Sequence, residues 1–265
     1  MSILKRNLAP ITDAAWKEID ALARETLTAN LSARRFLDVS GPHGLSFTSV
    51  DLGRLEVVED SKKGAVGYGI YKVQPLVETR IGFTLNIWEL DNIERGAKDI
   101  EMDSLVEAAV KMAAFEEKAV YEGLKAGSIA GLKEAASGES IPLKLNNDAV
   151  IDALAVAREH MQAAGVQGGA DFIVSPDLWK FLNRVSPGGS LKKLVERQIE
   201  GSVIRSDHIN GALLCANRGG DAELILGQDI SVGYHHHTAE EVFLFFTESF
   251  TFRVLAPEAL VCFSL

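Results

Sequence analysis

Between residues 45 and 84 the chain alternates apolar and polar positions, as in Leu55 with Val57 and in Ile70, Tyr71 and Val73. The centre of this stretch, EDSKKGAVGYG (residues 59–69), is polar and rich in glycine. Strand-like alternation around such a centre is the pattern of a long hairpin whose tip has no core to join. The chain should therefore fold as a body carrying an extended arm.

The body has two candidate long helices. Thr12 or Asp13 can cap a helix over residues 14–36, where Trp16, Ile19, Ala23, Leu27 and Leu31 recur at helical spacing, about six turns in all. Ser104 and Glu107 have the spacing of a capping box before a second helix, with Val106, Val110, Ala113, Val120 and Leu124 on one face and Gly127 as its stop. Ala108, Ala109, Ala113 and Ala114 keep that helix slim, as suits a central spine over residues 104–126.

From about residue 135 the texture becomes mixed. Asn147 is placed to cap a helix through Ala164, Gly165 to end it, residues 172–174 to form a strand, and Ser175 with Pro176 to start a short helix. Short strands are expected at 212–216, 223–226, 230–234, 242–246, 250–255 and 259–263, the first two joined as a hairpin through RGGD (residues 218–221). No repeat or low-complexity linker divides these parts. The expected class is α+β, with any second unit inserted into the first and sharing its strands.

Composition narrows the function. The 265 residues, 47% of them hydrophobic, suffice for a large core. With 27 Lys and Arg against 37 Asp and Glu, the net charge of −10 argues against a nucleic-acid partner. Cys215 and Cys262 lie in apolar, strand-like runs, which predicts buried free thiols in a reducing cytoplasm. No secretory signal or membrane-spanning run is evident, so cytoplasmic residence and no membrane partner are expected.

A search for catalytic chemistry returns little. His235, His236 and His237 are adjacent, but alternation along a strand lets at most two face one ion, and no Cys or carboxylate pattern completes a metal site; an exposed turn is expected, with adventitious or regulatory metal binding as the alternative. No G-x-S-x-G elbow occurs. VSPGGSLKK (residues 185–193) lacks phosphate-loop spacing and reads as a flexible loop at the tip of the inserted unit. In WELDNIERG (residues 88–96), Glu89, Asp91 and Glu94 read as a turn with Arg95 as ion-pair partner. Trp88 near Arg80 could stack on a flat ligand, with packing as the alternative. No catalytic residue is assigned.

PLVETRIGFTLNIWELDNIERGAKD (residues 75–99), RGGDAELILGQDISVGY (residues 218–234), ESFTFRVLAPEAL (residues 248–260) and the opening KRNLAPITDAAWKEID resemble, in register, the encapsulins. These are nanocompartment shell proteins, some once called linocin-like bacteriocins. The resemblance implies a tailed-phage major-capsid-like fold with a peripheral domain (1–134 and 222–265), an extended loop (about 52–81) and an axial domain (135–221). It further implies an icosahedral shell of about sixty copies of the chain itself. Such a shell encloses a cargo enzyme, commonly a ferritin-like iron oxidase or a dye-decolorizing peroxidase, in iron storage or defence against oxidative stress. The cargo carries a C-terminal targeting peptide.

By the same resemblance the N-terminal helix faces the lumen, Arg34 and Asp38 make polar contacts to that peptide, and Ile230 and Tyr234 line an apolar floor; for Arg34 and Asp38 an exposed helix end is the alternative. Ser186, Pro187, Gly188, Gly189 and Ser190 correspond to a five-fold pore loop. Relatives often carry an aromatic there and this chain does not, which bears on a flavin mononucleotide held by Arg80 and Trp88, as in some encapsulins. No cofactor is required for a shell. Two other functions share parts of this pattern: a capsid protein of a defective prophage, and an enzyme in its own right.

Overall fold

The computed structural model describes residues 3–59, 66–186 and 189–265. The chain runs through α1 (Asp13–Asn30), β1 (Asp38–Ser40), β2 (Ser49–Val57), β3 (Gly69–Pro75), β4 (Val77–Asn86), α2 (Ile87–Glu94) and α3 (Asp103–Glu122). After α4 (Leu132–Ala135) come β5 (Ile141–Pro142), α5 (Asn147–Ala163), β6 (Ala170–Val174), α6 (Pro176–Leu182), β7 (Val185–Ser186), β8 (Gly189–Ser190) and α7 (Leu191–Ile199). The remaining strands are β9 (Val203–Arg205), β10 (Ala212–Ala216), β11 (Ala222–His237), β12 (Glu241–Val254) and β13 (Leu260–Ser264).

Two sheets make the body. The first has the order β1-β11-β12-β4, with β1 parallel to β11 and the other pairs antiparallel. Helices α1 and α3 pack on it, with Ile19, Leu105, Ala109 and Phe246 in a common core. The second has the order β5-β13-β10-β6-β9 and is buried on both faces, which its nearly uninterrupted apolar strands require. Alternation assigns the faces: Phe172, Leu214 and Phe263 point toward α5, α6 and α7, while Ile173, Leu213 and Leu260 point toward the C-terminal half of α3. The spine helix thus serves both sheets along its length.

The arm is the β2-β3 ribbon. Its root is fixed where the buried Gln74 side chain donates to Thr251 Oγ1 (3.0 Å) and to the Phe252 carbonyl (2.7 Å). Beyond the root, Leu55, Ile70, Tyr71 and Val73 stand exposed. The arm ends earlier than residue 81, since β4 belongs to the body sheet from Val77 onward.

Several local expectations are overturned by tertiary contacts. Helix α1 stops at Asn30 rather than 36, because the Ala33 N–H is taken by Glu117 Oε1 (2.8 Å) of the spine. The capping box does not form: Ser104 lies inside the helix and its hydroxyl donates to the Thr84 carbonyl (2.5 Å). The spine ends at Glu122, before Ala126, because Gly123 (φ +89°) lets the backbone turn against Gly131. Asn146, not Asn147, caps α5. Residues 87–94 form a helix capped by Asn86, not a turn. The strands expected at 223–226 and 230–234 are one bulged strand, β11, and those at 242–246 and 250–255 are β12.

Residues 218–221 do not close a hairpin, because β10 and β11 lie in different sheets and the turn carries the chain from one to the other. Residues 235–237 end β11 instead of forming a turn. The 185–190 segment is a tight two-residue ladder, β7 with β8, rather than an open loop; Pro187 and Gly188 lie outside the described residues. β13, grouped by sequence with residues 222–265, hydrogen-bonds in the second sheet, between β5 and β10.

Candidate functional site

A groove of about 810 Å³ runs between α1 and the bulged middle of β11. Ala23 and Leu27 of α1 and Ile230 and Val232 of β11 supply its apolar surface, and Arg24, Arg34 and Asp229 its polar edge. It is lined by both kinds of surface.

Arg34 is among the residues lining the groove. It sits in the short 3-10 turn Ala33–Arg35 after α1, and three elements converge on its guanidinium. Nη2 lies 2.5 Å from Glu116 Oε2 of α3 and 2.7 Å from Glu248 Oε1 of β12, and Nη1 lies 2.7 Å from Asp229 Oδ1 of β11. Glu116 and Glu248 are fully buried whereas Asp229 is half exposed. Burial opposes the charge on Arg34, yet hydrogen bonding and attraction from Glu116, Glu248 and Asp229 hold its pKa above the ordinary value. Burial, and then Glu116 beside it, raises the Glu248 carboxyl well above the usual range. Its Oε2 has no hydrogen-bond partner among the described residues. Two buried acids facing one guanidinium are most comfortable when one of them keeps its proton.

One residue along the spine, Glu117 holds the same turn. Its carboxyl accepts from the Ser32 hydroxyl and from the Ala33 N–H, and Ser32 Oγ lies 2.9 Å from Tyr121 Oη. Burial pushes the Glu117 carboxyl up to about 7, against the lowering effect of those donors. The Tyr121 hydroxyl is raised too, by burial and then by Glu117.

The sequence-predicted docking residues separate here. Arg34 and Ile230 both line the groove. Asp38 does not: its carboxylate accepts the Gly220 N–H (2.6 Å) and borders a different cleft of about 420 Å³. Tyr234 is buried, with its N–H on the Leu4 carbonyl (2.7 Å) and its hydroxyl 2.6 Å from His237 Nδ1. Arg80 and Trp88 have different neighbours within the subunit. Arg80 lies over the Phe245 ring (4.3 Å) and near Glu78 (3.5 Å), while Trp88 is 66% exposed with Arg95 6.0 Å from its ring.

Glu116, Glu117, Asp229 and Glu248 were not singled out from sequence. A signal existed for the first two: they continue the stripe of Met112 and Ala113 at i+4, where an apolar pair would be expected. Cys215 is buried, with its thiol pushed up to about 12 by burial, and Cys262 is half-buried; both are free. Among the described residues no group of three or more His, Cys, Asp or Glu side chains is placed to hold a metal, and no helix is long and apolar enough to cross a membrane.

Comparison with known proteins fits this architecture. The family model described as "Encapsulating protein for peroxidase" matches residues 1–251. The type 1 encapsulin shell protein of Rhodospirillum rubrum is 39% identical, covering 98% of this chain and 96% of its own. That of Mycobacterium tuberculosis is 35% identical over all of both chains. Among solved structures, the virus-like particle from Pyrococcus furiosus has a TM-score of 0.62 at 20% identity, covering 92% of this chain and 97% of its own. The capsid of Myoviridae phage XM1 has a TM-score of 0.56 at 11% identity, over 89% and 92%. These last two likenesses concern the fold.

Proposed function

The chain belongs to the type 1 encapsulin shell proteins, structural subunits of capsid-like fold rather than enzymes, and from that premise we propose that its copies close into an icosahedral compartment in the cytoplasm around a cargo enzyme. The cargo is of the peroxidase or ferritin-like oxidase kind, which gives the compartment a role in oxidative-stress defence or iron storage. A C-terminal peptide of the cargo lies in the groove between α1 and β11. The groove itself carries this reading, because Ile230 and Val232 offer an apolar wall beside the polar edge formed by Arg34 and Asp229.

Assembly follows from the arm. Leu55, Ile70, Tyr71 and Val73 are 47–76% exposed on a ribbon whose root is held by Gln74, so this apolar surface needs cover. A neighbouring copy is the natural cover. Many equivalent contacts of modest strength then make a closed shell far more stable than one pair.

The test is co-expression with a candidate cargo enzyme that carries a C-terminal targeting peptide, followed by sizing, negative stain and quantitation of co-purified cargo. Megadalton particles are expected, with loading cut by Ile230→Asp and kept by Asp38→Ala. A stable monomer at micromolar concentration would overturn the shell. Unchanged loading with Ile230→Asp would overturn the groove.

A further inference from the structure

The run His235–His237 lies on the exposed end of β11, away from the groove. A regular strand would send the first two rings to opposite faces. β11 is irregular there, however: pairing with β12 skips between Tyr234 and His236. A bulge of this kind re-aims side chains. It brings His235 Nδ1 to 2.7 Å from His236 Nδ1, with the rings near perpendicular at 73°. The third ring is engaged elsewhere, its Nδ1 2.6 Å from Tyr234 Oη.

We propose that His235 and His236 chelate a divalent transition-metal ion through their two Nδ1 atoms, with water completing the coordination. Three features make the pair a site rather than two neighbouring side chains. His236 is pre-positioned, stacked on Phe243 with ring centroids 4.1 Å apart and planes 8° from parallel. His235 is exposed, so its ring can turn to aim its lone pair at an ion held by its neighbour. The 2.7 Å contact already sets the two Nδ1 atoms side by side, and when the donating ring carries its proton on Nε2 instead, both Nδ1 lone pairs are free for a metal.

Intrinsic affinity selects the metal: an imidazole pair binds Cu2+ more tightly than Zn2+.

Cu2+ added to the purified assembled shell tests this, by calorimetry and by electron paramagnetic resonance. One ion per chain with two-nitrogen coupling is expected. His235→Ala or His236→Ala should each weaken binding at least about tenfold, the low end for loss of a supporting group around a metal. His237→Ala should leave binding within about twofold, since that ring supplies no ligand in this geometry. Particle integrity is checked by negative stain. Equal affinity in the His235→Ala/His236→Ala double variant, a comparable loss in His237→Ala, or coupling to other than two nitrogens would each overturn the site.

Discussion

Arg34 and Glu116, 82 positions apart, meet through two guanidinium nitrogens, with Nε 2.9 Å from Oε1 and Nη2 2.5 Å from Oε2. This pair, extended to Glu248 and Asp229, fastens the turn after α1 to the spine helix and to both long strands. Removing the arginine leaves two buried acids without their counter-charge. Arg34→Ala should destabilise the subunit by about 3–5 kcal/mol, the cost of breaking a buried pair. Chemical denaturation of the shell reads this directly, and adding Glu116→Gln and Glu248→Gln should recover part of the loss. A loss under about 1 kcal/mol, the scale of an exposed pair, would contradict the network.

The Glu117 carboxyl gives a pH signature. Its folded pKa of about 7 exceeds the ordinary 4.5, so the folded state holds the proton more tightly. Its contribution is fully present below about 4.5 and is lost as pH rises to about 7, up to about 3 kcal/mol. Glu248 acts in the same direction. Denaturation midpoints should fall between mildly acidic and neutral buffer. Glu117→Gln should flatten that fall, and Glu117→Gln with Glu248→Gln should flatten it further. A slope unaltered by both would show that neither group is linked.

The arm predicts an assembly phenotype separable from folding. Tyr71 is 76% exposed, so Tyr71→Asp should leave the subunit's circular dichroism intact while shifting sizing profiles from particles to smaller species. Covering a side chain of this kind contributes about 1.5–3 kcal/mol per contact, repeated around the shell. Intact particles at unchanged yield would remove Tyr71 from the interface.

Gly131 marks where the spine must end. A Cβ there would lie 2.3 Å from the Gly123 nitrogen and 2.5 Å from the Glu122 carbonyl carbon, both backbone atoms. Gly131→Ala should therefore cost more than about 2 kcal/mol and lower soluble yield. Gly138→Ala, where a Cβ meets nothing but φ is +87°, should cost about 1 kcal/mol. Equal stabilities in thermal unfolding would refute the close approach.

Much of the fold was legible because it rests on periodicity and composition. The apolar stripe of α1, the alanine-rich spine and the glycine-centred arm announce themselves within short windows. What failed was governed by partners distant in sequence. Residues 31–36 look helical until Glu117 takes the Ala33 N–H, and Ser104 looks like a cap until Thr84 accepts its hydroxyl. The same holds at the groove. Ile230 and Arg34 were reachable by resemblance, whereas Asp229 and Glu248 lie in β11 and β12 and meet Arg34 only when the sheet closes. The alternation rule that separated His235 from His236 failed because a bulge is set by strand pairing, not by the strand's own residues.

β13 takes the place between β5 and β10, strands drawn from residues 141–142 and 212–216. During synthesis that slot stays empty until residues 260–264 have left the ribosome. A nascent chain can build α1, the arm and the spine early, but its second sheet has an unfilled gap until β13 itself has emerged. A subunit whose β13 has not yet emerged therefore cannot present the finished surface of that sheet to completed neighbours.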